Sequence, residues 1–211
     1  MPNKKVLIVE GKDDKEVIKH LCGNCNGPYI DKFHILEGIS YFSNELKVFI
    51  RASEYGDILG LIVDADTDLA NRWKSIREAL KSLGYLAVPD SPMPEGTILE
   101  APAEPKSLYP RVGIWVMPDN KTPGILEDFL RFLIPQHSPL FKHVIKSISS
   151  IPEHEQRFPD SLKPKAIIHT WLAWQEKPGK PLGTAITAKF LNVETDEAKQ
   201  LINWLHNLYC T

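Results

Sequence analysis

The chain has only three cysteines, Cys22, Cys25 and Cys210, among its 211 residues. So sparse and odd a set cannot form the even framework of a small disulfide-stapled domain, and it accords with a reducing compartment. Also missing is an uninterrupted apolar stretch of about 18 residues, the minimum for a membrane-spanning helix. The opening residues, MPNKKVLIVEGKDD, hold an apolar segment too short and too soon followed by charge to act as a secretory leader. These absences predict a cytoplasmic protein with no membrane partner. An excess of one charge is lacking too: 25 Lys and Arg against 27 Asp and Glu leave a formal net charge of −2. No global basic field is available to recruit nucleic acid, so such a partner has to be held by local basic residues and by metal.

The patterning in the first two thirds is regular. KKVLIVEG (4–11) is a short β-branched run, and DDKEVIKHLC (13–22) follows it with Val17, Ile18 and Leu21 at helical spacing. FHILEG (33–38) reads as a second strand and YFSNELKVFIRASEY (41–55) as a second helix. DILGLIVDAD (57–66) is almost wholly apolar until its end, as expected of a strand covered on both faces. Leu69, Trp73, Ile76, Leu80 and Leu83 mark the helix after it. RVGIWVMPD (111–119) is a fourth strand, and TPGILEDFLRFLI then offers Thr122 as N-cap and Pro123 as first helical residue.

Strands alternating with helices predict βαβ units, and hence an α/β fold with an open, mainly parallel four-stranded sheet over residues 1–135. The proline-rich segment 88–110 is an excursion with room for a short edge strand at Thr97 to Leu99. From 136 to 211 the pattern is helical only, through SPLFKHVIKSIS, LKPKAIIHTWLAWQE and TDEAKQLINWLHNLY. This extension is expected to pack on the sheet, because Trp171, Trp174 and Trp204 are too apolar to leave exposed.

Three of the four predicted strands end in acid: Glu10, then Asp64 and Asp66, then Asp119. Ligands of open parallel sheets collect outside the carboxyl ends of the strands. Residues two apart on a strand share a face with Cα atoms about 6–7 Å apart, so Asp64 and Asp66 are expected to address one ion. Two carboxylates about 4 Å apart repel by roughly 4 kcal/mol at an effective dielectric near 20, so such a cluster calls for a cation or raised pKa values. Oxygen donors without nearby histidine or paired cysteine select magnesium, manganese or calcium over zinc, and open water positions on the ion suit phosphate and so Mg2+ or Mn2+. The expected chemistry is phosphoryl transfer.

VLIVEGKDD, with Glu10 closing the first strand, and LIVDADTD about fifty residues later together resemble the TOPRIM domain of topoisomerases, primases and related nucleases. The similarity covers roughly residues 4–135. MPDNKTPGILEDFL and KAIIHTWLAWQEKPGKPLGTAI further resemble small bacterial TOPRIM proteins related to the overcoming-lysogenization-defect nucleases. The resemblance implies that Glu10 is a general acid or base or a metal ligand, and that Asp64 and Asp66 hold magnesium. It implies a second acidic pair, Asp119 and Glu127, for two-metal chemistry. No topoisomerase tyrosine domain, zinc-binding primase module or ATPase domain is visible, so any ATPase involved is a separate chain. The implied function is a magnesium-dependent nuclease acting on DNA or RNA, or a non-catalytic metal- and partner-binding module of a multi-component defence or repair complex.

Plainer roles stand beside these. Asp68 precedes a helix and suits an N-cap, and Asp119 before NKTPG suits a turn. Glu127 and Asp128 lie where acids complement a helix dipole. Gly38 suits a turn or a backbone approach to phosphate, but no Gly-Lys-Ser/Thr ending makes a Walker loop. DADTD is no EF-hand, because Leu69 stands at loop position six and Ser75 at the final glutamate. Cys22 and Cys25 make one unmatched Cys-x-x-Cys, and His169 is expected to be packed or capping. Lys163, Lys165, Lys177, Lys180 and Lys189 either track a phosphate backbone or form a solvated face. Among them Lys165 is the choice for neutralising transition-state charge.

Overall fold

A computed structural model describes residues 4–36, 42–54, 56–102 and 109–210. The expected turn at Gly38 and the ends of the second predicted helix, Tyr41 and Tyr55, lie outside the described residues. Strand β1 (Lys5–Val9) leads through Gly11 into helix α1 (Lys12–Asn24). Next come β2 (Lys32–Ile35), α2 (Phe42–Ala52), β3 (Ile58–Asp64) and α3 (Leu69–Ser82). The edge strand β4 (Thr97–Leu99), β5 (Arg111–Met117) and α4 (Leu126–Phe132) complete the segment expected to be α/β. The helical segment holds α5 (Pro139–Ser149), α6 (Lys163–Ala173), a short α7 (Leu182–Thr187) and α8 (Asp196–Tyr209). The sequence pattern had announced only three of those four helices, because six residues are too few to display a helical period.

The sheet has five strands in the order β2-β1-β3-β5-β4, rather than four. All pairings are parallel except β4 with β5, so the chain adds one antiparallel edge after the proline-rich excursion. Strand alternation sorts the core into two layers. Ile8, Leu61, Val63, Ile114 and Val116 face α2 and α3. Leu7, Val9, Ile62, Trp115 and Met117 face a layer made of α1 and the helices from α4 to α8. The C-terminal helices therefore join α1 and α4 in one cover of the sheet and share its core.

Two glycines explain how α8 seats. Gly60 of β3 and Gly113 of β5 stand opposite each other in register. A Cβ on Gly113 would lie 2.5 Å from Leu208 Cδ2, and one on Gly60 would overlap the Tyr209 hydroxyl. The bare backbone thus admits Leu208 and Tyr209, both fully buried, and the Tyr209 hydroxyl donates to the Val6 carbonyl at 2.6 Å. Burying a side chain the size of Leu208 contributes about 1.5–3 kcal/mol.

Trp171 and Trp204 are buried as expected, but Trp174 is 44% exposed and packs one ring against His143. It falls just past the end of α6, where the helix no longer turns it toward the core. His169 is exposed rather than packed. No helix among the described residues is long and apolar enough to cross a membrane.

Candidate functional site

The order of the sheet reverses direction between β1 and β3: from β1 the chain moves outward to β2, then returns past β1 to β3. That is the topological switch point, where an open α/β sheet leaves a crevice beyond its carboxyl ends. Glu10 immediately follows β1, and Asp64 is the last residue of β3. The Asp64 amide donates to Glu10 Oε1 at 3.1 Å, tying the two strand ends across the crevice.

Two helix starts bring further carboxylates there. Asp14, three residues into α1, accepts from the Gly11 amide at 3.1 Å through Oδ2. Its Oδ1 is buried and has no hydrogen-bond partner among the described residues. On α4, Asp128 takes the same capping role by accepting from the Ile125 amide at 3.1 Å. This leaves its neighbour Glu127 to point inward, 1% exposed, with Lys165 Nζ 2.8 Å from Oε1. Glu127 Oε2 is a second buried oxygen without a hydrogen-bond partner among the described residues. Asp64 Oδ1 accepts from the Leu126 amide at 3.0 Å, so the α4 start leans on the β3 end.

The electrostatics follow from this crowding. Burial, reinforced by Asp14, Glu10, Glu127 and Asp66, pushes the Asp64 carboxyl up to about 9. Glu10 is raised to about 7 by burial, with the Arg72 guanidinium pulling the other way. Asp14 rises to about 6, through burial and then the Glu127 charge. Burial pulls the Lys165 ammonium down, but the hydrogen bond and charge of Glu127, with Asp64 and Asp14, more than offset it and leave it above the ordinary lysine value. Each carboxyl makes its neighbours harder to ionise, the behaviour of like charges confined to one site.

Asp66 does not share a face with Asp64 as strand alternation predicts. Strand β3 ends at Asp64, and Asp66 adopts a left-handed conformation with φ 52°. Its amide donates to the Gly124 carbonyl at 3.0 Å, which turns its half-exposed side chain outward. There Arg72 Nη2 reaches Asp66 Oδ2 at 2.5 Å and Glu10 Oε1 at 3.8 Å. Asp66 forms a wall common to two open pockets of about 380 and 340 Å3. Pro123, Asp128 and Ser161 line the first, and Asn71, Arg72 and Ser75 the second.

The structure brings Glu10, Asp64, Glu127 and Lys165 together, with Asp66 at the rim. Asp119 is engaged elsewhere: its Oδ1 accepts from the Lys121 and Thr122 amides and from the Thr122 hydroxyl at 2.8–3.0 Å. This turn also removes Thr122 from its expected capping role, and α4 starts at Leu126, not Pro123. Asp68 is the N-cap of α3, accepting from the Asn71 amide at 2.9 Å. Sequence reasoning missed Asp14 and Arg72. Asp14 had one available signal, its position three residues after the turn glycine, where a capping carboxylate belongs. Arg72 had none, since it stands six positions after Asp66, in a different element.

The donor chemistry fits a hard cation: all the converging ligand atoms are carboxylate oxygens, and two of them are buried without partners. Among the described residues, however, no three His, Cys, Asp or Glu side chains form a ready-made metal cage. Raised pKa values, Lys165 and Arg72 manage the charge. Cys22 is a different case: burial pushes its thiol up to about 12, away from the thiolate that metal or redox chemistry needs.

These features define an open-sheet α/β protein with a buried carboxylate cluster at its switch point. Residues 4–210 match the model of the family described as Protein of unknown function (DUF3226), and the chain belongs to that family. No curated protein and no solved structure matches it.

Proposed function

We propose that this protein is a magnesium- or manganese-dependent nuclease, or a related phosphoryl-transfer enzyme acting on nucleic acid, with a TOPRIM-like site. One observation carries the reading: Glu10, Asp14, Asp64 and Glu127 meet at the switch point, with Asp14 Oδ1 and Glu127 Oε2 buried and unpartnered among the described residues. Such oxygens cost stability unless a ligand, a proton or a water serves them. Asp64 and Glu10, with Asp14 and Glu127 beside them, are the residues that would hold the ion, and Asp66 would join from the rim only if its Arg72 pair opens. A divalent ion bound there would supply Lewis-acid polarisation of a phosphoryl oxygen and a lowered pKa for a water.

The chain's own groups do the rest. Where Glu10 handles the proton rather than sharing the ion, its carboxyl, raised by burial to about 7, is poised to take or give one near neutral pH. Lys165, half-exposed and held by Glu127, supplies positive charge beside a scissile phosphate. Asp119 is left as a ligand for a second ion only if its turn opens. The free thiols of Cys22, Cys25 and Cys210 accord with a cytoplasmic setting.

The test is cleavage of supercoiled plasmid and of a structured RNA with Mg2+, Mn2+ or EDTA, comparing wild type with Asp64→Asn/Asp66→Asn. Cleavage that needs metal and disappears in the variant is expected. Equal cutting by both proteins would remove the claim.

A second reading is favoured by the charge already present: Arg72 and Lys165 neutralise acids that, among the described residues, no ready-made cage encloses. The protein is then a non-catalytic metal- and partner-binding module working with a separate ATPase chain. It would associate with that chain in a metal-dependent way without turnover, which sedimentation of the mixture measures.

A further inference from the structure

Away from the acidic crevice, a pocket of about 420 Å3 opens between α1, α7 and the loop joining α6 to α7. Its polar lining is His20, Glu176, Lys177, Lys180, Thr184 and Thr187. Two ammonium groups face one carboxylate, so the lining is net positive. Among the described residues neither lysine makes a salt bridge, in contrast to Lys165.

The floor of the pocket is built. Helix α7 approaches α1 at Gly183, where a Cβ would lie 2.7 Å from His20 Cδ2 and 2.8 Å from the Glu16 carbonyl oxygen. That contact sets Thr187 Oγ1 2.8 Å from His20 Nδ1. Asn24 Nδ2 donates to the same hydroxyl oxygen at 3.2 Å and to the His20 carbonyl at 2.7 Å. With Asn24 donating, one donor is always left over. If His20 Nδ1 accepts the Thr187 proton, the ring carries its hydrogen on Nε2; if Nδ1 donates, the hydroxyl hydrogen is unspent. Thr184 is spent differently, its hydroxyl donating to the Pro181 carbonyl at 2.9 Å. Two lysines and a surplus donor along one pocket are the chemistry that suits an oxyanion.

We infer that this pocket binds a phosphate group of a nucleic-acid strand, as an anchoring site separate from the acidic crevice. The inference rests on the nucleic-acid reading above but not on cleavage. The phosphate is either an internal backbone phosphate or a strand's terminal 5′-phosphate, and both offer the same oxyanion to Lys177 and Lys180.

The test is equilibrium binding of fluorescent 20-nucleotide DNA and RNA strands, each with 5′-phosphate or 5′-hydroxyl, in EDTA across a salt series. Without metal no turnover intervenes, so failure here is distinct from failure of the nuclease reading. Wild type is expected to bind at least one strand. In Lys177→Ala/Lys180→Ala the slope of log affinity against log salt should fall by about 0.7, the value for one lost single-strand phosphate contact. Loss of preference for the 5′-phosphate strand in this variant would place a terminal phosphate in the pocket. Equal weakening of both strands would place an internal one. Lys142→Ala/Lys146→Ala, on α5 outside the pocket, is the charge-matched control. The inference is overturned if wild type binds no strand, if the pocket variant keeps the wild-type slope, or if the control loses as much slope as the pocket variant.

Discussion

Lys165 Nζ lies 2.8 Å from Glu127 Oε1, and it joins a helix of the C-terminal layer to a carboxylate that is 1% exposed beneath the strand ends. Lys165 is half in solvent whereas Glu127 is fully withdrawn from it, so the two ends of the pair are not equivalent. Removing the lysine strands a buried charge. Removing the carboxylate leaves an ammonium that water can still solvate.

Lys165→Ala should therefore cost about 1–3 kcal/mol, the range for leaving a buried polar group without its partner. Lys165→Ala/Glu127→Gln should recover part of that loss, because the stranded charge is gone. Chemical denaturation of the two variants and of wild type reads the difference. A double variant as unstable as the single one would mean the pair is not what holds Glu127.

Stability in EDTA should fall as pH rises. Glu10, Asp14 and Asp64 all have folded pKa values above their unfolded ones, at about 7, 6 and 9. The folded protein therefore keeps protons that the unfolded chain releases above about pH 4. Their contribution is fully present below that value and is lost in stages as pH passes through about 6, 7 and 9. Melting temperature measured from pH 5 to 9.5 should decline, and Asp64→Asn should flatten the decline above pH 7.

Metal should act in the opposite sense. A cation competes with the protons on Asp64 and Glu10, so Mg2+ should stabilise the protein more at pH 8.5 than at pH 6. At 100 times its dissociation constant it should add about 2.7 kcal/mol. Thermal melts with and without Mg2+ test this. No shift in wild type at either pH would mean that the carboxylates are satisfied by protons, Lys165 and Arg72 alone.

Arg72 tunes Glu10. Its guanidinium pulls the glutamate down against burial, so Arg72→Ala should raise the Glu10 pKa further. If Glu10 acts as the base in cleavage, the acidic limb of the rate–pH profile should move to higher pH in this variant. Arg72→Lys, which keeps the charge, should restore part of the shift.

Residues 1–135 should not fold alone. Leu208 and Tyr209 fill the space above Gly60 and Gly113, and Trp204 packs on Trp115 with ring centroids 5.7 Å apart. A chain ending at Ile134 or Pro135 keeps α1 and α4 but loses α5 to α8, exposing the apolar part of the sheet face on which α8 seats, so its circular dichroism and amide exchange should lack cooperative structure.

Much of this protein was decided locally. Apolar runs of β-branched residues specify β1, β3 and β5, and the spacing of Val17, Ile18 and Leu21, or of Trp73, Ile76 and Leu80, specifies the helices between them. These signals are legible because burial on one face imposes a period that neighbouring residues must obey. The acids at the strand ends were equally visible, since the carboxyl ends of parallel strands can be located once the strands are. What local pattern could not decide was which of those acids meet. Asp66 turns away because a left-handed residue ends the alternation, and Asp119 is taken up by its own turn. Asp14 enters because a helix start is carried over the β1 end, and Lys165 because α6 packs against α4, 38 residues away in sequence from Glu127. Contacts between distant segments depend on the packing of whole layers, and no short-range period encodes that packing.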